Sequence, residues 1–374
     1  MKYRVRYRIR HGSTVMCAAL LFVAAMPVAV APVATAQESL EQCGVPEPGD
    51  ALPVDVPLPH DVATGAGVSI ALVDTGASSP GVLPGRDGDL DHCVLHGTAV
   101  AGVLRSVAPG ARVVSHRQIT DRGSGTVAGL VDALERAVAH AREHPEVKIV
   151  NMSLVACQDT VELRRAVADA EDAGLLIVAA AGNSGQCAEG QMPFPASLPG
   201  VLTVGGVDAR VADASRLDDL GLGRVVADYS VPGVWVDLVA PGGPVSTVLR
   251  TAAGEVTIVG DPDPFAGTSF AAPVVSATAA LVWQVRPEHS AAQVRSVLVD
   301  TARSGGVPVI DPAAAVASVM DDEPVAGDRD APWDDAVDLV AASDENVELR
   351  VPLALLSLVL VGALGVAVAR RPRG

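Results

Sequence analysis

Four polar residues stand where short glycine-flanked motifs interrupt apolar runs: Asp74 in VDTG, His96 in HGTAVAG, Asn183 in AAGNSG and Ser269 in GTSFAAP. Each has an ordinary structural role when taken alone. A serine ahead of an apolar helix caps it. An aspartate at a strand end accepts backbone hydrogen bonds, Asn-Ser-Gly makes a turn, and an isolated histidine sits on a surface or in a core. Together the four supply what acyl transfer requires: a hydroxyl nucleophile, a base to take its proton, a carboxylate to orient the base and an amide to meet the oxyanion. Ser269 would open the helix SFAAPVVSATAALVWQV, where unpaired N–H groups and the positive end of the helix dipole favour developing negative charge. Pro273 is expected in the first turn of that helix, where a missing N–H is tolerated.

Other chemistries fit the pattern less well. His92 and His96 lie four residues apart and could share a metal on a helix, but Cys93-Val94-Leu95 between them lacks the glutamate of the zinc-protease motif. One Asp-Thr-Gly would need a homodimer of a β-rich chain to form a pair of carboxylates sharing a proton. GSGTVAG has the wrong glycine spacing for a dinucleotide fingerprint. No cofactor and no metal are expected. The formal net charge is −17, and the basic residues form no stripe outside the two ends of the chain. Nucleic acid is therefore not an expected partner.

The elements that must position these residues follow from hydrophobic patterning. GVSIALVDTG, ARVVSHRQI, VKIVNMSL, GLLIVAAAGN and GVLTVGGVD are short apolar strands, and they alternate with Ala-rich helical patterns such as TVAGLVDALERAVAHAREH. Continuously apolar strands between helices predict a doubly wound α/β domain, with a mostly parallel sheet covered on both faces. Asp74, Ser153 and Asn183 then fall at the carboxyl ends of strands, where such sheets place their sites. Ser290 and Gln293 form a predicted capping box for a late helix, and the domain is expected to close near Met320. With 49% hydrophobic but only 3% aromatic residues, the core must be built from Ala, Val and Leu.

The two ends carry different signals. Residues 1–36 have a basic start, an apolar stretch and Ala34-Thr35-Ala36, as in a secretory signal peptide cleaved before Gln37. Residues 37–66 form an N-terminal extension, 67–320 the predicted catalytic domain and 321–350 an acidic solvated linker. Residues 351–369 are uncharged and long enough to cross a bilayer, and the arginines in 370–374 should stay cytoplasmic. The expected protein is single-pass in the cell membrane, with its bulk extracytoplasmic. Four cysteines remain after signal removal, and an even number in an exported chain suggests two disulfides. Three connectivities are open, and Cys43 with Cys93 and Cys157 with Cys187 is the expected one.

From about Val68 to about Arg303 the chain resembles the subtilase family of serine proteases. VDTG, HGTAVAG, VNMSL, AAGNSG and GTSFAAP carry the likeness, and Asp, His, Ser is the order in which that family presents its triad. The resemblance implies that Ser269 is the nucleophile, His96 the base, Asp74 its orienter and Asn183 an oxyanion donor. It also implies a cleft for protein or peptide substrates between Ser153-Leu154 and Ala180-Ala181-Gly182, with Gly123, Ser124 and Gly125 as an edge to which an extended peptide adds. Within the family the chain is most similar to the mycosins, the membrane-anchored proteases of actinobacterial type VII secretion systems. HGTAVAG, GTSFAAP, SLPGVLTVGGVD (197–208), the four cysteines and the terminal span support this. About 30 residues precede the first core strand, too few for a folded chaperone domain, and the resemblance implies a short extension wrapped on the catalytic domain. The implied function is a narrow-range endopeptidase associated with a type VII secretion membrane complex. The alternative is a mainly structural subunit of that complex, with proteolysis secondary.

Overall fold

Alternation along the central strand sorts the core into two halves. In β1 (Ser69–Asp74), Ile70 and Leu72 face one side of the sheet and Ala71 and Val73 the other, and all four are fully buried. A strand buried on both faces must lie inside a three-layer sandwich. The computed structural model describes residues 46–85, 94–119, 125–207, 226–251, 253–261, 263–303 and 308–320. Besides β1, its main sheet contains β2 (Val82–Pro84), β3 (Arg112–Arg117), β4 (Val147–Met152), β5 (Leu176–Ala180), β6 (Leu202–Val207) and β7 (Leu238–Pro241). Their order is β2-β3-β1-β4-β5-β6-β7, and every neighbouring pair is parallel.

Helices α1 (His96–Val107), α4 (Thr268–Val285), α5 (Ala291–Asp300) and α6 (Pro312–Met320) pack on the face that holds Ile70 and Leu72. Helices α2 (Val127–Glu143) and α3 (Val161–Asp172) cover the other face. Because β1 is flanked by β3 on one side and β4 on the other, the strand order reverses beside it. A crevice opens at such a switch point, at the carboxyl ends of the strands, and Asp74 is the last residue of β1. An antiparallel hairpin, β8 (Thr247–Thr251) and β9 (Gly254–Ile258), lies outside the main sheet. The described part of the N-terminal extension rests on it: Gly49 N–H donates to Thr257 O at 2.9 Å, and Leu52 N–H donates to Ser246 Oγ at 2.8 Å.

The five strands and the long helix expected from patterning are present, as is the capping box at Ser290 and Gln293. Helix α3 fits the expected alternation of strands and amphipathic helices, with Leu163, Ala166, Val167 and Ala170 on its buried face. Strand β2 has three residues and β7 four, each ending in proline, too short for a periodic signal. Pro273 requires a correction. Helix α4 starts at Thr268, so the proline is its sixth residue and lies beyond the first turn.

Among the described helices, α4 alone is long and apolar enough to cross a membrane. It is not at the C-terminus, and 89% of its apolar window is buried inside the domain. The signal peptide, the acidic linker, the span at 351–369 and the cytoplasmic tail lie outside the described residues.

Candidate active site

The DTG turn and the HGT motif are built around one another. Leu95 precedes α1 without a capping side chain, so the first N–H groups of the helix need an outside acceptor. Thr75 supplies it: its Oγ1 accepts from Gly97 N–H at 3.0 Å and donates to Val94 O at 3.0 Å. Gly97 is required because a Cβ there would overlap the Gly76 carbonyl oxygen. One residue further on, Thr98 Oγ1 accepts from Ser78 N–H at 3.0 Å. These contacts hold the start of α1 against the end of β1, which puts His96 over Asp74.

His96 Nδ1 lies 2.8 Å from Asp74 Oδ1, and the same oxygen accepts from Thr75 N–H at 2.7 Å. Asp74 is 1% exposed. A carboxylate oxygen can only accept, so Nδ1 carries the proton and Nε2 of the neutral ring keeps its lone pair. Burial works against the protonated ring, but the charge and hydrogen bond of Asp74 outweigh it and hold the His96 pKa above its usual 6.5. The histidine is thus held in the tautomer, and with the basicity, that suit a proton acceptor.

Ser269 is the second residue of α4 and is buried, with Gly267 as the N-cap. Gly267 has φ of +148°, a conformation that L side chains rarely adopt. The ring of the next residue, Phe270, lies 5.5 Å from that of His96, so the helix start and the histidine are neighbours. No hydrogen bond joins His96 to Ser269 among the described residues. In enzymes without substrate such contacts are often long and tighten only on binding.

Asn183 follows the end of β5 and faces Gly267. Its Oδ1 accepts from both Thr268 N–H and Thr268 Oγ1, each at 3.0 Å. A main-chain N–H can only donate, which fixes the orientation of the amide and leaves Nδ2 as the free donor. Gly182 N–H in turn donates to Thr268 Oγ1 at 3.2 Å, tying the β5 end to the start of α4.

The residues expected along a cleft divide by burial. Ser153, Ala180 and Ala181 are buried, and Leu154 packs against the α2 and α3 side of the core. Gly182 lines a cavity of about 400 Å³ together with Val155, Met192, Pro193, Pro232 and Trp235. Cys187, also on its wall, is bonded to Cys157. No described residue of the N-terminal extension lines this cavity. Gly125 is exposed and bridges Ile119, whereas Gly123, Ser124, Cys43 and Cys93 lie outside the described residues. Among the described residues no group of three or more His, Cys, Asp or Glu could hold a metal.

The model of the subtilase family matches residues 65–315, a span that contains all four motif residues. The chain belongs to the subtilase family. Mycosin-1 of Mycobacterium tuberculosis is 32% identical over 83% of this chain and 82% of that protein. The crystal structure of MycP1 from Mycobacterium smegmatis matches with a TM-score of 0.57 at 28% identity, covering 77% of this chain and 92% of that one. A serine protease MycP1 described as an essential component of the type VII (ESX-1) secretion system matches with a TM-score of 0.53 at 28% identity, over 72% and 93% of the two chains. This subtilase is a serine protease related to the mycosins, with an α/β subtilisin-like fold.

Proposed function

We propose that the protein is a membrane-anchored extracytoplasmic endopeptidase in which Ser269, His96 and Asp74 act as a triad, with Asn183 as oxyanion donor. The observation that carries this is the Asp74–His96 hydrogen bond of 2.8 Å beside the N-terminus of the helix that begins Thr268-Ser269. Ser269 Oγ attacks the scissile carbonyl carbon as His96 Nε2 takes its proton. The oxyanion that forms accepts from Asn183 Nδ2 and from the Ser269 main-chain N–H, which the helix leaves unpaired. His96 then returns the proton to the leaving amine, and a water repeats the sequence on the acyl-enzyme.

The cavity beside Gly182 takes the substrate side chain next to the scissile bond, and its lining by Val155, Met192, Pro193 and Trp235 favours an apolar one. Residues 67–320 form the catalytic domain, 351–369 the anchor and 370–374 a cytoplasmic tail. The likeness to MycP1 supports a place beside a type VII secretion membrane complex, where the substrates are secreted proteins.

Labelling of the full-length chain by a fluorophosphonate probe tests this. Wild type should label, and Ser269→Ala and His96→Ala should not. Absence of labelling in a folded wild type would sink the catalytic reading in favour of a structural subunit.

A further inference from the structure

Proline at the sixth position of α4 removes the N–H that an α-helix would direct at the carbonyl four residues back, and that carbonyl belongs to Ser269. The Ser269 oxygen nevertheless has a donor. Ser153 Oγ, from the residue that follows β4, lies 2.6 Å from it. A carbonyl can only accept, so the Ser153 proton points at Ser269 and the lone pairs of Ser153 are left for a further donor. Asn151 Nδ2 provides that donor at 3.0 Å, and Asn151 Oδ1 accepts from Ser276 Oγ at 2.8 Å.

The run from Ser276 through Asn151 and Ser153 to the Ser269 carbonyl therefore has one direction. Asn151 lies in β4 and Ser153 just past its end, two residues apart in extended chain, and Ser269 and Ser276 are seven apart on a helix, so each pair lies on one side. All four are buried: Asn151 and Ser276 at 0%, Ser153 at 1% and Ser269 at 7% exposure. Two hydroxyl contacts thus clamp α4 to the sheet on either side of Pro273.

We propose that Ser153 is a positioning residue for the nucleophile: its hydroxyl stands in for the helix N–H that Pro273 lacks and fixes the main chain of Ser269. This rests on Ser269 being the nucleophile. The preceding residue, Thr268, is held through its N–H by Asn183, and the Ser269 carbonyl is held by Ser153. With both sides anchored, the Oγ is presented in one place. With the carbonyl released, the proline-interrupted turn can rotate its peptide plane and carry the hydroxyl away from His96.

The test is a double-mutant cycle on the full-length chain, using wild type, Ser153→Ala, Pro273→Ala and the double variant. Fluorophosphonate labelling rate and thermal unfolding are measured on each. With Pro273 in place, Ser153→Ala should slow labelling by about tenfold to a hundredfold, the scale of loss for a small misplacement of a reacting group. In the Pro273→Ala background a main-chain N–H returns to the Ser269 carbonyl, and the same substitution at Ser153 should cost about threefold or less, giving strong coupling between the two sites. On a peptide substrate the loss should fall on kcat and leave KM nearly unchanged.

Equal losses in the two backgrounds, or no loss in either, would overturn the proposal. If Ser153→Ala does not fold, refolding and labelling of the double variant support it, and failure of both variants overturns it. Labelling that survives Ser269→Ala would instead remove the nucleophile assignment, and that failure is visible without any change at Ser153.

Discussion

At His96 two opposed effects act on one proton. Burial favours the neutral ring, the Asp74 carboxylate favours the charged one, and the carboxylate prevails. Below its raised pKa the ring is protonated and has no lone pair for Ser269, so kcat/KM of the wild type should fall as pH drops, with a midpoint above 6.5. Asp74→Asn removes the charge and leaves burial acting alone. Its acid limb should therefore move to lower pH, and its plateau should drop by about 10⁴-fold, as when an amide imposes the wrong tautomer on a triad histidine. A pH profile of kcat/KM for the two proteins checks both statements, and an acid limb that stays in place would contradict the role given to Asp74. At this scale the sequence is informative, because each of the four motif residues is flanked by glycines whose spacing survives in one dimension. The role of Ser153 is not legible there, since its partner Ser269 lies 116 residues away and only the fold brings them together.

The elements matter through the way the turn after β1 caps the start of α1. Thr75 caps α1 in place of Leu95, and Gly97 allows the helix start to approach the DTG main chain. Gly97→Ala should push the two apart, because its new Cβ would meet a carbonyl oxygen that cannot move without disturbing Asp74. The expected cost is about 1–3 kcal/mol of stability, typical of overpacking, with activity falling further than stability alone would explain. Thermal unfolding together with kcat at a temperature where the variant is fully folded separates the two effects, and a stable, fully active variant would contradict this account. Sequence patterning finds β1, β3, β4, β5 and β6 because each carries a β-branched apolar run, and β1, β4 and β5 also end at a motif. It misses β2, β7 and the β8–β9 hairpin, whose identity depends on the neighbours that bury them. The position of Pro273 shows the same limit. A proline inside a helix is tolerated here because a side chain from another element satisfies the freed carbonyl, and no local rule could anticipate that.

Across the whole molecule, the stability of the three-layer sandwich depends on a histidine outside the site. His116 on β3 is 2% exposed and lies against α2, with the His140 ring at 5.7 Å and His144 stacked on His140 at 4.3 Å. Neither of its ring nitrogens has a hydrogen-bond partner among the described residues. Burial, together with the charges of His140 and Arg136, lowers its pKa to about 4. Unfolding restores an ordinary value near 6.5, so between these limits the unfolded chain binds the extra proton and stability rises with pH. As pH falls from about 6.5 to about 4 the folded state should lose about 3 kcal/mol through this one residue, a large part of the roughly 5–15 kcal/mol typical of a domain. His116→Leu removes the titration while keeping an apolar volume between β3 and α2. Unfolding of the full-length chain at about pH 4.5 and about pH 7.5, on either side of most of this titration, should show a much smaller difference for the variant than for the wild type. Equal differences would mean that other groups, the paired carboxylates among them, set the acid sensitivity. The layered architecture carries the effect to the fold as a whole, because charging His116 would place a proton in a buried seam between β3 and α2 that offers its ring no hydrogen-bond acceptor among the described residues.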